Sequence, residues 1–147
     1  MPIARWRNPI AENGSSQDLR ILIADDSELV RRAIVALISR ETRWEVCGQA
    51  ANGEQALEKA RELRPSVILL DINMPDISGL EVARRLRGEM PAVVIFLMSQ
   101  NDASMLLPGA MAAGANGCLD KSNLASDLAR RLKAIGENQH SDIQGAA

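Results

Sequence analysis

The chain has 147 residues, and its 17 basic and 19 acidic residues leave a formal net charge of −2. This length suits one domain with a single core and leaves no room for a second folded domain. Because the sequence holds neither a dense Lys/Arg stretch nor a run of about 18 apolar residues, we expect no direct nucleic-acid binding and no membrane insertion.

Cysteine usage and the start of the chain both indicate a cytoplasmic protein. Cys47 and Cys118 lie in predicted strands without the spacing of metal ligands, so we expect them to be reduced, buried and inert. The N-terminal residues lack the long apolar core of a signal peptide. Residues 1–18, which contain Pro2 and Pro9 but no sustained periodicity, are predicted to form a flexible extension.

From Leu19 the sequence alternates between short apolar runs and helix-length amphipathic segments. This alternation is typical of a parallel α/β sheet and predicts one doubly wound (βα)₅ domain over residues 19–135. Ser27 is a suitable cap for the first helix. The first helix is predicted to begin near Ser27, and the second to cover Glu54–Leu63 after the turn at Asn52-Gly53. The third is predicted to follow Ser78-Gly79, and the last to cover Asn123–Ile135.

Two segments are less regular. Between Asn101 and Gly114 a helix is expected, but proline removes a backbone hydrogen bond inside a helix, at a cost of about 3 kcal/mol or more. We therefore expect this helix either to start at Pro108 or to be broken there. Residues 136–147 are too polar to pack and are predicted to form a disordered tail.

Four predicted strands end at residues suited to hold a metal ion or a phosphoryl group. In chain order these residues are Asp25 and Asp26, then Asp71, then Ser99, and finally Asp120 with Lys121. Because the carboxyl ends of parallel strands share one edge of the sheet, we expect these side chains to converge in one pocket. Any single one could be an ordinary turn residue, but the combination indicates a site.

Three neighbouring carboxylates repel one another, which raises their affinity for protons and cations. Mg²⁺ prefers hard oxygen ligands and keeps several waters, so two or three carboxylates, a carbonyl and a phosphoryl oxygen can complete its shell. Each aspartate alone could instead serve only to favour a helix N-terminus. The adjacent pair Asp25 and Asp26 at a strand end favours the metal.

Four motifs along the chain combine into one pattern. They are Ile23-Ala24-Asp25-Asp26-Ser27, then Leu69-Leu70-Asp71-Ile72-Asn73-Met74-Pro75-Asp76 with Gly79, then Met98-Ser99, and Gly117-Cys118-Leu119-Asp120-Lys121. Together they resemble the receiver domain of bacterial two-component response regulators over about Leu19 to Ile135, and the start is similar to receivers of the nitrate-response (NarL/FixJ) type. The resemblance implies a flavodoxin-like fold, in which five parallel strands lie in the order 2-1-3-4-5 between two layers of helices.

The resemblance also implies roles for the residues of the pocket. Asp71 would accept a phosphoryl group from a histidine kinase or a histidine phosphotransfer protein. Mg²⁺ would be bound by Asp71 itself, directly by Asp26, mainly through water by Asp25, and by the backbone carbonyl of Asn73. These roles agree with the chemistry, because a carboxylate is a competent covalent nucleophile.

Lys121 and Ser99 are the other two implied catalytic residues. Lys121 would pair with the carboxylate and then with the phosphoryl oxygens, and the Ser99 hydroxyl would contact a phosphoryl oxygen. Phosphoryl transfer depends mainly on positioning and on neutralising charge at the oxygens, which these groups supply. The domain would catalyse only its own phosphorylation and dephosphorylation, so it would act in signalling and not as an enzyme.

The phosphodonor is expected to be another protein, because His140, the only histidine, lies in the polar tail. Too few residues follow Ile135 for an output domain, so we expect a stand-alone regulator that binds a downstream protein, or dimerises, when phosphorylated. A receiver-like adaptor that binds its partner without phosphorylation is the nearest alternative. An aspartyl-phosphate hydrolase fits less well, because Asn73 stands where such enzymes have a second acid that exchanges protons. A flavin-binding flavodoxin would share the fold, but the acidic edge of the sheet would repel the phosphate of the flavin.

The sequence departs from the family pattern at three places. Cys118 stands where an aromatic residue is usual, and a small thiol does not fill the same volume. Ser122 replaces the proline that usually follows the lysine, so we expect a trans peptide bond there. Gln100 follows Ser99 where a small residue is common, and we expect its side chain to slow the loss of phosphate. Pro108, Asp120 and Cys118 together alter the face built from the fourth helix, the last strand and the last helix, so we expect a distinctive partner surface.

Overall fold

The computed structural model describes residues 18–100 and 103–146 of the chain. The strands are β1 (Leu19–Ala24), β2 (Trp44–Ala50), β3 (Val67–Asp71), β4 (Val94–Ser99) and β5 (Gly117–Asp120). The helices are α1 (Glu28–Ile38), α2 (Gly53–Leu63), α3 (Gly79–Glu89), α4 (Ala103–Ala112) and α5 (Leu124–Ala146), and a 3₁₀ turn over Lys121–Asn123 precedes α5.

The apolar strands pair into one five-stranded sheet. Its strand order is β2-β1-β3-β4-β5, and every neighbouring pair is parallel. Strands of such a sheet are apolar throughout because helices cover both faces, and β3 is buried along its whole length. The arrangement confirms the predicted doubly wound flavodoxin-like fold and its strand order 2-1-3-4-5.

Side chains that alternate along the strands divide the core into two layers. Leu22 and Leu70 pack on the face covered by α2, α3 and α4. Ile23 and Leu69 pack on the opposite face, with α1 and α5. All four are fully buried, and burial of a side chain of this size contributes about 1.5–3 kcal/mol to folding. The carboxyl edge of the sheet is therefore held by a well-packed core on both sides.

Capping side chains fix the starts of the first three helices, and the sequence predicted the cap at Ser27. Ser27, Asn52 and Ser78 each accept a hydrogen bond from the backbone N–H three residues later. These donors would otherwise be free in the first turn, so a cap sets the residue at which a short helix begins. α2 begins at Gly53, one residue earlier than predicted.

The segment around Pro108 differs from the prediction. α4 runs from Ala103 to Ala112, so the proline lies inside the helix and neither starts nor interrupts it. Proline removes only the hydrogen bond to the carbonyl of Ser104, and Pro108 itself is exposed. Loss of a single hydrogen bond leaves the other hydrogen bonds of the helix in place, so α4 continues through the proline.

The two ends of the chain were predicted to lack regular structure. This prediction was wrong for residues 136–146, because α5 continues to Ala146. Each residue added to an existing helix gains a backbone hydrogen bond, so a polar sequence can extend a helix without packing. The predicted N-terminal extension lies outside the described residues, except for Asp18. None of the described helices combines the length and hydropathy that a bilayer crossing requires.

Candidate functional site

The predicted pocket forms at the carboxyl edge of the sheet. Carboxylate oxygens of Asp25, Asp26 and Asp71 all lie within 4.8 Å of one another. Asp25 and Asp71 are buried, with 0% and 4% exposure, whereas Asp26 is exposed. The aspartates line an open cleft of about 380 Å³ together with Ser27, Val30, Asn73, Gln100 and Lys121.

Lys121 connects the two buried carboxylates. Its Nζ lies 2.7 Å from Oδ2 of Asp25 and 3.3 Å from Oδ1 of Asp71. Burial by itself would lower the pKa of Lys121, but the hydrogen bonds and charges of Asp25 and Asp71 outweigh burial and raise it. Lys121 therefore carries a permanent positive charge in the site.

Asp71 has a carboxyl group whose ionised form is disfavoured. Burial raises its pKa above the ordinary value of 3.8, and the negative charge of Asp25 raises it further. The N–H of Asn73, which donates to Oδ1 of Asp71 at 3.2 Å, and the charge of Lys121 offset only part of this effect. An additional cation would favour the ionised carboxylates.

The donor set fits a hard divalent cation, because three carboxylates converge at the cleft and oxygen is the ligand that Mg²⁺ prefers. Both oxygens of Asp25 already have partners, since Oδ1 accepts from the N–H of Ser27 at 2.9 Å and Oδ2 pairs with Lys121. Asp26 is exposed beside the cleft. Which aspartate would bind the ion directly and which through water stays a prediction.

Ser99 and Gln100 lie at the end of β4, next to the strand that carries Asp71. Ser99 is buried, with 2% exposure, and β4 pairs with β3 so that Met98 lies opposite Asp71. Gln100 is exposed and lines the cleft. The structure thus brings both residues to the edge at which the sequence predicted them.

Two hydrogen bonds to the side chain of Asp120 shape the turn after β5. The carboxylate of Asp120 accepts hydrogen bonds from the backbone N–H of Ser122 at 2.9 Å and from its hydroxyl at 2.7 Å. The described residues contain no cis peptide bond, so the bond between Lys121 and Ser122 is trans, as predicted. These contacts close the turn around Lys121 and so help to fix the lysine in place.

The cysteines are less buried than predicted. Cys47 and Cys118 are both free, and each is only partly covered. Burial nevertheless raises the pKa of each thiol above the ordinary value of 9.0, which disfavours the reactive thiolate near neutral pH. Cys118 packs against the core layer under α2, α3 and α4.

Two residues near the site were not identified from the sequence. Arg31 of α1 donates through Nη1 to the backbone carbonyl of Asp25 at 2.7 Å. Asp76, in the loop after β3, accepts hydrogen bonds from the backbone N–H groups of Gly53 and Glu54 at 2.8 and 2.9 Å. The contacts of Asp76 join residues 23 and 22 positions apart, so no local sequence pattern indicates them, whereas Arg31 lies only six residues after Asp25.

Comparison with known proteins identifies the family. Residues 21–133 match the response regulator receiver domain. The response regulator GacA of Pseudomonas viridiflava is 32% identical over 121 residues, which cover 82% of this chain and 56% of that protein. The transcriptional regulatory protein DegU of Brevibacillus brevis is 31% identical over 126 residues, covering 86% of this chain and 53% of that protein. The chain thus spans about half the length of these curated relatives.

A relative of a different kind is protein-glutamate methylesterase/protein-glutamine glutaminase 2 of Anaeromyxobacter dehalogenans. It is 35% identical over 115 residues, which cover 78% of this chain but only 33% of that protein. The segment that this chain shares with its relatives is therefore found in proteins with different names and different total lengths.

Solved structures give the same assignment. The signal receiver domain of NarL from Mycobacterium tuberculosis matches with a TM-score of 0.76 and 28% identity, covering 82% of this chain and 98% of that chain. A two-component response regulator of the LuxR family from Aurantimonas sp. SI85-9A1 gives a TM-score of 0.77 and 29% identity, covering 83% and 87%. The sequence, the fold and the acidic edge of the sheet agree, and the chain belongs to the receiver domain family of two-component response regulators.

Proposed function

We propose that this chain accepts a phosphoryl group on Asp71 in a Mg²⁺-dependent reaction and signals by binding another protein when phosphorylated. The convergence of Asp25, Asp26, Asp71 and Lys121 at one edge of the sheet carries the proposal. Family membership supports it, because aspartate phosphorylation and Mg²⁺ binding are typical of receiver domains. The phosphodonor is a histidine kinase or a histidine phosphotransfer protein, and the exchange takes place in the cytoplasm, where response regulators typically act.

Phosphorylation uses the carboxylate of Asp71 as the nucleophile. One of its oxygens attacks the phosphorus of the donor phosphohistidine, so an acyl phosphate forms while the bond from phosphorus to nitrogen breaks and the imidazole leaves. When bound, Mg²⁺ would be held by Asp26, Asp71 and the carbonyl of Asn73, with Asp25 acting through water, and would offset charge on the phosphoryl oxygens. The N–H of Asn73 and the ammonium of Lys121 orient the Asp71 carboxylate through Oδ1.

Lys121 and Ser99 then recognise the phosphoryl group. The Lys121 ammonium lies close enough to Asp71 to pair with a phosphoryl oxygen attached there. The Ser99 hydroxyl, at the end of β4, donates a hydrogen bond to another phosphoryl oxygen. Both contacts favour the phosphorylated arrangement, so phosphorylation shifts the conformational balance of the segments that follow β4 and β5.

The surface of α4 supports output through a protein partner. The helix has no charged residue, and Met105, Leu107 and Met111 expose 77%, 41% and 53% of their surface. α4 is the next element after β4, which ends at Ser99, so a change at the site would act on the segment that leads into this helix. The partner is a downstream protein with a complementary apolar surface, and dimerisation of the chain is the alternative.

Titration with beryllofluoride and Mg²⁺, which together imitate the aspartyl phosphate, tests the proposed function. We expect shifts of the backbone amide resonances of Asp71, Ser99 and α4 in the wild type, and none in Asp26→Asn at the same Mg²⁺ concentration. Sedimentation of the same samples shows whether the chain dimerises. A wild-type chain that does not respond would be a constitutive receiver-like adaptor, which is the competing function.

Gln100→Ala is expected to shorten the lifetime of the aspartyl phosphate. The Gln100 side chain lines the cleft, and we expect it to hinder the approach of water to Asp71. Its removal should speed decay by up to about tenfold, which corresponds to roughly 1.4 kcal/mol of the barrier. The measurement is the loss of labelled phosphate after removal of the donor. Gln100→Met keeps the length of the side chain and should retain slow decay, whereas an unchanged rate in Gln100→Ala would contradict this role.

A further inference from the structure

The loop between β3 and α3 is closed beside the phosphoacceptor. The N–H of Gly79 donates to the carbonyl of Ile72 at 2.9 Å, which joins the two ends of the loop. A Cβ on Gly79 would collide with the backbone carbonyl of Asp71, so α3 starts directly against the phosphoacceptor. The loop between these ends carries Asn73, which lines the cleft and whose carbonyl is the proposed metal ligand.

The centre of the same loop is attached to α2 by Asp76. Its Oδ1 accepts a hydrogen bond from the N–H of Gly53 at 2.8 Å, and its Oδ2 accepts one from Glu54 at 2.9 Å. These donors belong to the first turn of α2 and have no partner within the helix. The hydrogen bonds from Glu54 and Gly53 hold the pKa of Asp76 below its ordinary value, and the helix dipole favours the negative charge. Asp76 is therefore ionised at neutral pH.

Packing at this junction leaves little free space. A Cβ built on Gly53 would lie 2.9 Å from the Cβ of Ile77 and 3.0 Å from its carbonyl oxygen, so the loop lies directly against the start of α2. Asn52 also caps α2, by accepting from the N–H of Gln55 at 2.9 Å. Both caps stabilise the same helix, but Asn52 is its direct neighbour in sequence, whereas Asp76 comes from the loop that carries the proposed ligand.

We propose that Asp76 is a positioning residue for the metal site, because it holds the loop of residues 72–78 against α2 and keeps the carbonyl of Asn73 at the cleft. Without Asp76, this loop would keep its closure at Ile72 and Gly79, but its centre would become mobile. Metal binding would then have to order the loop, which lowers affinity. The inference rests on the proposed function, since it takes the Asn73 carbonyl as a ligand of Mg²⁺.

The matched variants Asp76→Ala and Asn52→Ala separate positioning from helix capping. Both remove a cap from α2 and should lower the melting temperature, but only Asp76→Ala releases the loop. Calorimetric titration of the folded proteins with Mg²⁺ should give a dissociation constant about three- to tenfold higher for Asp76→Ala and an unchanged one for Asn52→Ala. Asp76→Glu keeps the carboxylate and should recover part of the affinity.

Amide hydrogen exchange provides a readout that does not involve the metal. In Asp76→Ala the amides of Gly53 and Glu54 should exchange faster, whereas Asn52→Ala should affect that of Gln55. Equal Mg²⁺ affinities for the wild type and Asp76→Ala would overturn the inference and leave the proposed function intact. A wild-type chain that does not bind Mg²⁺ would contradict both.

Discussion

Asp71→Asn is expected to abolish phosphorylation by protein donors and by small donors such as acetyl phosphate. A neutral amide does not attack phosphorus as a carboxylate does, and loss of a covalent nucleophile typically lowers the rate by more than about a thousandfold. Mass spectrometry after incubation with donor and Mg²⁺ measures the result. Phosphate found on another residue of the variant, at the wild-type level, would show that Asp71 is not the acceptor.

The same substitution should stabilise the metal-free chain at neutral pH. Because burial and the charge of Asp25 raise the pKa of Asp71, the folded state binds more protons than the unfolded state above the ordinary value of 3.8. The contribution of Asp71 to stability therefore falls as pH rises through its raised pKa, and Asn avoids this loss. With a chelator present, the melting temperature of Asp71→Asn should exceed that of the wild type at neutral pH, and the difference should shrink on acidification.

The same melting temperatures should also be measured after addition of Mg²⁺. The ion binds the folded wild type and should raise its melting temperature more than that of Asp71→Asn, which lacks one carboxylate. If Asp71→Asn is less stable than the wild type in chelator at neutral pH, the negative charge of Asp71 does not destabilise the folded state.

Lys121→Met is expected to lower the free energy of unfolding of the metal-free chain by about 3–5 kcal/mol. Asp25 is completely buried, and its Oδ2 lies 2.7 Å from the Lys121 ammonium. Methionine fills a similar volume but leaves this carboxylate without its cation. Urea unfolding in the presence of a chelator measures the loss, and Mg²⁺ should restore part of it by supplying another positive charge. Lys133→Met removes an exposed lysine of α5 and should have little effect.

Phosphorylation of Lys121→Met should also be slower, by about 10²- to 10³-fold, as for other preorganised groups that stabilise charge in a transition state. Asp71 remains in place, so the product still forms. Lys121→Arg keeps the charge but changes its position, and should give an intermediate rate. An unchanged rate in Lys121→Met, measured with acetyl phosphate, would show that the ammonium does not act in the transfer.

Local signals in the sequence were sufficient for most of the fold and for the pocket. Ser27, Asn52 and Ser78 cap helices through the backbone three residues away, so the relevant contact lies within a short window of sequence. Asp71 and Lys121 could be placed together because parallel strands end at one edge of the sheet. That rule requires only the type and the order of the elements.

The features that were not predicted depend on contacts and exposure in the folded structure, which a short stretch of sequence does not reveal. Asp76 has the sequence context of an ordinary loop residue, and only the fold brings it to Gly53 and Glu54. Pro108 was expected to start or break its helix, but the helix continues through this exposed position, and exposure is set by the fold and not by neighbouring residues. Residues 136–146 were judged by their polarity alone, which does not prevent an existing helix from continuing.

The ion pair between Asp25 and Lys121 joins the ends of β1 and β5, although β3 and β4 lie between these strands in the sheet. The lysine reaches the aspartate only when every intervening strand is in place. A molecule in which β5 has detached from β4 would keep Asp71 in place but would lose the Lys121 ammonium beside it. We therefore expect a chain that has not completed folding to be phosphorylated far more slowly by a donor than a fully folded one.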